Sequence, residues 1–535
     1  MNKIDKDTEE ILNKFSLEQK IGQMICIGLN TTTIDPEFRQ LISKYPFGSV
    51  GLYNRNIVSP QQVKLLTKEI QNIISPVCNG LNAMIALDQE GGVVSQFSSG
   101  ITHTPGNMAI GATSSIEYSY NTNHISGLEL SDMGITMNWA PVVDLNSNPQ
   151  NEIIDVRSFS DNVELVSILG ASAVHGLHCG GVGATAKHFP GHGNVSKLDT
   201  NLLVNKNTME HVLKNDLAPF KHLARSSVDA IMVAPIAIPA FENEKLIPAT
   251  LSKTMITGIL RNEFNYDGVV MIDDLDHEAI INEYTLKKAT QKALAAGADI
   301  FLLCHSMHHQ TLAFNSLLNA VKKGTIKLER IDQSVRRIIK MKLKSMEYKK
   351  DRIFLDSMHK NSQIEKLCKD SIVLYSDQNK LIPINKAKFR NVLVVLPKLV
   401  SLAYADSSET LYCSLGEQLI SEFDKIKVLT LPMSISKVQA ESVIEEASNY
   451  DLVIIASENS NNFPGYLELI NALNQKKPLI IVSLRHPYEI SSLPLDATIL
   501  VAFSQIDSSM EAIKNVITGR YSPRGLMPVA IKNPS

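Results

Sequence analysis

Short apolar runs between residues 21 and 304 alternate with stretches whose apolar positions recur at helical spacing. A strand followed by a helix, repeated eight times, is typical of a closed parallel barrel. The pattern therefore predicts an N-terminal TIM-like (β/α)8 barrel. The predicted strands are Ile21–Gly28, Gly48–Leu52, Ala83–Leu87, Thr136–Val143, Val182–His188, Asp229–Val233, Gly268–Ile272 and Asp299–Leu303.

Several of these runs end in polar residues, namely Asp88, Asp144, Lys187 with His188, and Asp273. In a parallel barrel the carboxyl ends of the strands form the face that carries the active site. We therefore expect these side chains to converge at one mouth of the barrel.

A second unit follows the barrel. A basic amphipathic helix, Leu328 to Lys344, is predicted to close the first unit, and charged and polar sequence then continues to about Lys386. The later runs are almost continuous Val, Ile and Leu, which is typical of parallel strands covered on both faces. We predict the barrel over 1–345, a linker over 346–385 and a C-terminal three-layer α/β sandwich over 386–535. The predicted sandwich strands are Asn391–Leu396, Lys427–Leu431, Asp451–Ala456, Leu479–Leu484 and Thr498–Phe503.

The composition narrows the class of partner. With 44% apolar and 20% charged residues the chain is an ordinary globular protein, and its net charge of −3 gives no polybasic surface for nucleic acid. Residues 1–20 lack an apolar h-region, and no apolar run approaches the length of a membrane span. We therefore expect a cytoplasmic protein with a neutral small-molecule substrate and no membrane partner. No feature points to a particular oligomeric state.

The segment Lys187–Gly193 is the first candidate for chemistry. It places a cation, two imidazoles and a glycine-hinged loop directly after the apolar run 182–186. The alternative is a Gly/Pro turn that carries ordinary surface histidines. The histidines lack metal-ligand spacing and no Gly-rich phosphate loop follows a strand, so we expect neither a metal nor another cofactor.

A set of ordered segments strengthens the interpretation of this stretch as a site. The segments are Ser16–Met24, Asp88–Gly92, Asn138–Asp144, Arg157–Phe159, Lys187–Gly193, Pro248–Ser252 and Gly268–Leu275. Together they resemble glycoside hydrolase family 3, specifically its β-N-acetylglucosaminidase branch with an appended C-terminal domain. The resemblance is looser in the second unit, over 477–488 and 519–528. It implies a retaining glycosidase that acts on a β-linked N-acetylhexosamine or a related amino sugar.

By this resemblance Asp273 is the catalytic nucleophile, at the end of the seventh predicted strand. The alternative is that the pair Asp273 and Asp274 only caps the following helix, which suits Asp274 better than Asp273. His192 lies between two glycines and is expected to shape the loop rather than to contact substrate.

The resemblance also implies a set of sugar-binding residues, Asp88, Arg157, Lys187 and His188. Sugars present dense donor and acceptor groups, and charged side chains with several hydrogen-bonding atoms suit them. The alternative for Arg157 and Asp88 is a buried structural ion pair.

The chain departs from the family pattern at the general acid/base. Where that branch has Asp-Ser-His after the glycine-histidine-glycine loop, this chain has Asp199, Thr200 and Asn201, one residue further along. Asparagine cannot exchange a proton near neutral pH, and Asp199 is the candidate substitute acid. Pro235 replaces a histidine, and Val93 stands where the family has arginine. Acidic residues of the second unit are further candidates, namely Glu441, Glu445, Glu446, Glu458 and Glu468.

Two functions follow from these features. The first is a glycosidase or glycosyl-transferring enzyme with Asp273 as nucleophile. The second is a catalytically silent or repurposed member, either a sugar-binding protein or a biosynthetic enzyme that acts on a different bond. The retained sugar-binding set favours the first function, and Asn201 favours the second.

Overall fold

The computed structural model describes residues 3–197, 201–352, 354–403, 405–407 and 412–531. The strands are β1 (Ile25–Gly28), β2 (Ser49–Gly51), β3 (Met84–Leu87), β4 (Met137–Asn138), β5 (Gly183–Phe189), β6 (Ser196–Lys197), β7 (Leu203–Val204), β8 (Ala230–Val233), β9 (Ile236–Ala237), β10 (Val269–Ile272), β11 (Ile300–Leu303), β12 (Val373–Ser376), β13 (Asn391–Lys398), β14 (Lys425–Pro432), β15 (Leu452–Ser457), β16 (Leu479–Ser483) and β17 (Thr498–Val501).

The α-helices lie between and after these strands. They are α1 (Lys3–Lys14), α2 (Leu17–Gln23), α3 (Pro36–Lys44), α4 (Pro60–Val77), α5 (Asn107–Thr113), α6 (Ile116–Asp132), α7 (Val163–Gly180), α8 (Met209–Lys214), α9 (Ala218–Arg225), α10 (Glu278–Ile281), α11 (Leu286–Ala296), α12 (Met307–Lys322), α13 (Leu328–Lys350), α14 (Ser357–Ser371), α15 (Leu415–Leu419), α16 (Lys437–Ala447), α17 (Pro464–Asn474) and α18 (Asp507–Ile517). The segment Thr254–Glu263 is π-helical.

The first unit is a closed barrel of parallel strands in the order β1, β11, β10, β8, β5, β4, β3 and β2. Each of the eight apolar runs that predicted it overlaps one of these strands, so the barrel is confirmed. Its strands are short and buried on both faces, since their side chains pack either inside the barrel or against the surrounding helices.

Helix α2 shows how local sequence fixes an entry to the barrel. Ser16 Oγ accepts from Gln19 N at 3.2 Å, and Gln19 Oε1 accepts from Ser16 N at 2.9 Å, which forms a capping box. The helix then leads directly into β1.

Helix α13 closes the amino-terminal end of the barrel. Its buried Lys342 donates from Nζ to Gln23 Oε1 and to Gly48 O, each at 2.6 Å, and Ser345 Oγ donates to Thr136 O at 2.7 Å. Burial lowers the pKa of Lys342 to about 8. These contacts hold the helix across the barrel floor, far from the carboxyl ends of the strands.

The second unit is a six-stranded sheet in the order β12, β17, β16, β15, β13 and β14. All neighbours are parallel except the edge pair β12 and β17. Alternate residues of its strands enter two separate apolar clusters, Leu393 and Val395 on one face and Val392 and Val394 on the other. Helices therefore cover both faces, as the predicted three-layer sandwich requires.

The segment 346–385, predicted as a linker, contains regular structure. Helix α14 packs against α5, α6 and α18, and β12 forms the antiparallel edge of the second sheet. Chain that leaves the barrel therefore packs on both units before the second sheet begins.

One helix of the described residues, α7, is long and apolar enough to cross a membrane by composition, and half of it is buried. It packs against α6 and α9, and its Val166, Leu169 and Leu177 belong to the barrel core. The apolar face of α7 is thus used for packing inside the first unit.

Candidate active site

A cavity of about 420 Å³ opens at the carboxyl ends of the barrel strands. Most of the barrel side chains in its lining lie at or after the carboxyl end of a strand, which is why residues far apart in sequence meet here. The lining residues include Tyr53, Asp88, Glu90, Gln96, Trp139, Arg157, Lys187, His188, His192, Leu203, Pro235, Asp273, Asp274, His277, His305, Asp406 and Ser407. The cavity therefore contains the predicted nucleophile and the four predicted sugar-binding residues. The acidic candidates of the second unit do not line it, namely Glu441, Glu445, Glu446, Glu458 and Glu468.

A larger cavity of about 640 Å³ lies at the opposite end of the barrel. It is lined by the amino ends of β3 and β4 and by the apolar stems and lysines of α4 and α13. Its lining lacks the convergent carboxylates and imidazoles that mark the cavity at the carboxyl ends, so we place the candidate site in the latter.

The floor of the site is a cluster of buried charges around Glu90. Arg157 donates to Glu90 through Nε and Nη2, both at 2.9 Å, and Lys187 Nζ lies 2.6 Å from Glu90 Oε1. Lys187 also donates to Asp88. The parallel guanidinium-carboxylate contact fixes Arg157 in one orientation. Arg157 thus pairs with Glu90, while Asp88 pairs with Lys187.

Burial alone would raise the pKa of Glu90, but the charges of Arg157 and Lys187 outweigh it and lower the pKa to about 2. Burial opposes the charged form of Lys187, and the carboxylates of Asp88 and Glu90 raise its pKa above the ordinary value. Glu90 and Lys187 are therefore charged near neutral pH. The cluster offers fixed donors and acceptors of the kind that sugar hydroxyls use.

A second buried contact orients His188. Asp144 Oδ2 accepts from His188 Nδ1 at 2.8 Å and from His188 N at 3.0 Å, and Asp144 Oδ1 accepts from His192 N at 2.7 Å. Burial would raise the pKa of Asp144, but His188 and His192 hold it below the ordinary value. One carboxylate therefore shapes the whole loop after β5.

His192 was expected to shape that loop, and its backbone does so through Asp144. Its ring also lines the cavity, where its Nδ1 is buried without a hydrogen-bond partner among the described residues. Burial and the neighbouring His188 lower the pKa of His192 to about 4, so its imidazole is neutral near pH 7.

Asp273 continues the register of β10, because its backbone N donates to Val233 O at 3.0 Å. Within the described residues its carboxylate accepts no hydrogen bond. Burial and the adjacent Asp274 raise the pKa of Asp273 to about 6. The short helix α10 that follows is capped by His277, whose Nδ1 accepts from Ala279 N at 3.2 Å. The Asp273–Asp274 pair therefore does not cap this helix.

The segment that the resemblance leads us to expect as the acid/base region belongs to the hairpin of β6 and β7. Strands β6 and β7 pair antiparallel, and β7 pairs with β9. Asp199, the predicted substitute acid, lies outside the described residues. Asn201 is described, and its Nδ2 lies 3.3 Å from Glu278 Oε2 on α10. The side of the hairpin presents Leu203 to the cavity.

The second unit supplies one wall of the site through residues 405–407. Arg485 donates from Nη1 and Nη2 to Asp406 at 2.8 and 2.9 Å, and from Nε to Asp155 Oδ2 at 2.6 Å. Gln96 Nε2 donates to Ser407 Oγ at 3.0 Å. Asp155 lies two residues before Arg157, so Arg485 connects the wall to the charged floor.

Sequence reasoning missed several of these residues. Glu90 lies in the segment Asp88–Gly92, but the sequence alone assigned it no role. Its position two residues after Asp88 places both carboxylates on the same side of an extended segment, which was the available signal. His305 follows β11 as Asp273 follows β10, and the same rule would have found it. Asp406 and Arg485 carried no local signal, because they reach the barrel only through the packing of the two units.

Groups of three or more potential metal ligands do not occur in the described part of the chain. The described acids, bases and cations of the cavity are the groups that can act on a substrate.

Residues 16–341 match the family model for the glycosyl hydrolase family 3 N terminal domain. Over 94% of its length the chain is 28% identical to β-hexosaminidase A of Pseudoalteromonas piscicida, and the match covers 92% of that protein. A β-N-acetylglucosaminidase/β-glucosidase of Cellulomonas fimi is 26% identical over 70% of this chain and 67% of its own length.

Among solved structures, the chain is similar to a glycoside hydrolase family 3 β-N-acetylglucosaminidase from Paenibacillus sp. str. FPU-7. The two share 34% identity with a TM-score of 0.89, over 97% of this chain and 100% of that one. The similarity therefore extends over both units.

Proposed function

The chain belongs to glycosyl hydrolase family 3, and we propose that it hydrolyses β-linked N-acetylhexosamine or a related amino sugar with retention of configuration. The observation that carries the proposal is the position of Asp273, in the cavity that also holds Glu90, Arg157 and Lys187. The names of the similar proteins, β-hexosaminidase and β-N-acetylglucosaminidase, support the substrate class.

In this proposal the charged floor binds the sugar ring. Asp88 and Glu90 accept from hydroxyl groups, and Arg157 and Lys187 donate to hydroxyl oxygens. Because the ion pairs already fix these side chains, the sugar finds oriented partners and little side-chain freedom is lost on binding. His188, held by Asp144, adds an imidazole edge to the same surface.

Asp273 then acts as the nucleophile. Its carboxylate has no hydrogen bond to other described groups and is therefore free to face an anomeric carbon. Above pH 6 it is largely ionised, as a nucleophile must be. The nearby cation Lys187 favours this charged form, while burial keeps the carboxylate poorly solvated and reactive.

A retaining mechanism proceeds through two displacements at the anomeric carbon. In the first, a carboxylate oxygen of Asp273 bonds to that carbon as the glycosidic oxygen leaves with the electron pair of the broken bond. In the second, water replaces Asp273 and regenerates its carboxylate. The sequence offers Asp199 as the group that handles the proton in place of the missing histidine.

The test is rapid-mixing kinetics with a dinitrophenyl N-acetyl-β-glucosaminide. A leaving group of this kind needs no protonation, so the proposal predicts a burst of dinitrophenol equal to the enzyme concentration and a product of retained configuration. Asp273→Asn should abolish the burst. A slow reaction without a burst, unchanged in Asp273→Asn, would contradict the proposal.

The contact of Asn201 with Glu278 favours a second candidate, a sugar-binding member without hydrolytic activity. It predicts that the native protein binds N-acetylglucosamine but does not cleave unactivated glycosides. In that case Asn201→His, with one residue deleted from the hairpin, should restore hydrolysis. High native activity on unactivated glycosides would eliminate this candidate.

A further inference from the structure

We propose that Asp274 is the general acid and base of this site, and that His305 positions it. The proposal rests on the proposed function, in which Asp273 is the nucleophile. It assigns the proton-transfer role to a described residue of the barrel and makes the hairpin dispensable for that step.

The backbone brings two successive carboxylates to one cavity. Asp273 keeps the strand register, and the chain then turns at Asp274, whose φ is 27°. Asp274 N-caps no helix, because α10 is capped by His277. Its side chain is 40% exposed, at the open side of the cavity, while Asp273 lies deeper. A sugar bound against Asp273 would therefore leave its glycosidic oxygen on the side where Asp274 stands.

A fixed chain of donors faces Asp274. Arg55 donates from Nη2 to Cys304 O at 2.9 Å and from Nε to Leu29 O at 3.1 Å, which anchors its guanidinium. Its Nη1 lies 3.4 Å from His305 Nδ1. A guanidinium can only donate, so Nδ1 is the acceptor and the ring proton of His305 is on Nε2.

His305 Nε2 lies 3.9 Å from Asp274 Oδ1. The His305 ring also packs against Tyr53, with 5.0 Å between the ring centroids. The guanidinium of Arg55 lies over the Tyr53 ring. The contacts with Tyr53 and Arg55 place the N–H edge of the imidazole toward the carboxyl group. At 3.9 Å the two groups are not yet hydrogen-bonded, and a small movement of either side chain would bring them within hydrogen-bond distance.

The other carboxylates of the cavity are engaged in ion pairs. Glu90 lies between two cations, Asp88 is paired with Lys187, and Asp406 receives two hydrogen bonds from Arg485. Protonation of any of them would break a buried ion pair, which is costly. These groups can accept hydrogen bonds from substrate but are poor proton donors.

The imidazoles of the cavity are engaged by other groups. His188 donates its Nδ1–H to Asp144, while its Nε2 lies 3.4 Å from Arg157 Nη2 and can only accept from it. His277 and His305 each use Nδ1 as an acceptor, and burial lowers the pKa of both. A neutral imidazole does not protonate a leaving group efficiently.

Asp274 is left with a carboxyl group that can hold a proton. Burial and the negative charges of Asp276 and Asp88 raise its pKa to about 6, against the opposing charge of Arg55. Asp273 is raised to about 6 as well, and its charge and that of Asp274 repel each other. Two carboxyl groups in this position share one proton near pH 6, and the apparent pKa values belong to the pair.

The two steps then balance. In the first, Asp273 bonds to the anomeric carbon, the glycosidic bond breaks, and Asp274 gives its proton to the departing oxygen. In the second, the Asp274 carboxylate takes a proton from water, whose oxygen bonds to the anomeric carbon while the bond to Asp273 breaks. The acid form of Asp274 and the carboxylate of Asp273 are both restored.

The experiment compares Asp274→Asn, Asp199→Asn and Asp276→Asn with the native full-length protein. Asparagine keeps the shape of the side chain and tolerates the left-handed backbone at position 274. Asp276 is a matched control, since it lies outside the cavity lining and pairs with His309 Nδ1 at 2.8 Å. Each variant is assayed with a dinitrophenyl glycoside and with a methyl glycoside, with and without sodium azide.

For Asp274→Asn we expect kcat/KM for the methyl glycoside to fall about 100-fold to 10,000-fold. The dinitrophenyl substrate should still form the covalent intermediate, which accumulates, and azide should restore turnover with a β-glycosyl azide as product. The basic limb of the pH profile should disappear. Asp276→Asn should keep its activity on the methyl glycoside without azide, and its basic limb should move to lower pH because the charge of Asp276 raises the pKa of Asp274. His305→Asn should also shift the basic limb without azide rescue.

Azide rescue in Asp199→Asn and not in Asp274→Asn would overturn the proposal and assign proton transfer to the hairpin. Native activity of Asp274→Asn on both substrates would also overturn it. Each result would leave the proposed function intact, provided that the native protein gives the burst that depends on Asp273. Absence of that burst in the native protein would instead overturn the proposed function itself.

Discussion

Arg485 of the second unit donates from Nε to Asp155 Oδ2 of the barrel at 2.6 Å, and its other two nitrogens hold Asp406 at 2.8 and 2.9 Å. All three side chains are at most 6% exposed. The guanidinium therefore links the wall of the cavity to the segment that carries Arg157. The second unit therefore forms part of the site.

Replacement of Arg485 should destabilise the protein strongly. Arg485→Gln leaves two buried carboxylates without their cation, and we expect a loss of about 3 to 5 kcal/mol in the free energy of unfolding. Arg520→Gln is the matched control, because Arg520 is 53% exposed and its partner Glu422 keeps a second cation, Lys386. That loss should be much smaller, because solvent screens the exposed guanidinium. Equal losses in urea unfolding would contradict the role given to Arg485.

Glu90 should be needed for the orientation of the floor. Glu90→Gln keeps the shape but removes the charge between Arg157 and Lys187, so we expect weaker binding of N-acetylglucosamine by at least about tenfold. Isothermal titration calorimetry measures this directly. Glu10→Gln, which removes an exposed partner of Lys14, should bind as the native protein does. Unchanged affinity in Glu90→Gln would show that the ion pairs do not orient the sugar-binding groups.

The Glu90 carboxylate should also contribute to unfolding at acidic pH. Its folded pKa of about 2 lies below the ordinary 4.5, so the unfolded chain binds more protons between these values. The stability from Glu90 is present above pH 4.5 and is lost as pH falls toward 2, by about 3 kcal/mol in total. Unfolding free energies of native protein and Glu90→Gln should therefore converge between pH 4.5 and 2. Parallel curves would contradict this linkage.

Glu458 should give the opposite pH dependence. Its side chain is 1% exposed, and neither carboxyl oxygen has a hydrogen-bond partner among the residues that the structure describes. Arg485 Nη1 lies 3.8 Å from Glu458 Oε1. Burial outweighs Arg485 and, with the charges of Glu489, Asp155 and Asp406, raises the pKa of Glu458 to about 8. The folded state then holds a proton that the unfolded chain releases above the ordinary 4.5, so stability falls as pH rises from 4.5 to 8.

Glu458→Gln should remove this loss, which has a maximum slope of about 1.4 kcal/mol per pH unit. Glu468→Gln, at an exposed position of the same unit, is the control and should keep the native slope. Thermal or urea unfolding across pH 5 to 8 measures both. If the native protein and Glu458→Gln lose stability equally over this range, Glu458 is not the group responsible.

The barrel was predictable because its strands are short apolar runs separated by helices, and each strand end carries a polar residue. Asp88, Lys187, His188 and Asp273 could be placed at one mouth from that rule alone. The pairing of Arg157 with Glu90, which is 67 positions distant, could not be predicted, since sequence does not show which of two acids a cation selects. Arg485 and Asp406 reach the site through the packing of α14 and the second sheet, which no local pattern encodes.

The segment 346–385 illustrates a different limit. Its charged composition suggested a linker, but the amphipathic α14 packs on α5 and α18 and its strand β12 completes a sheet edge. Tertiary contacts decide such segments, because each helix or edge strand is marginal in isolation.

The central claim is that Asp273 forms a covalent bond with the sugar. The most direct measurement is mass spectrometry of the native protein after incubation with a 5-fluoro N-acetylglucosaminyl fluoride, in which the fluorine slows release of the intermediate. The account predicts one added glycosyl group per chain, located on the peptide that contains Asp273 and absent from Asp273→Asn. Labelling of a different carboxylate, or no labelling while the protein still hydrolyses the dinitrophenyl substrate, would contradict it.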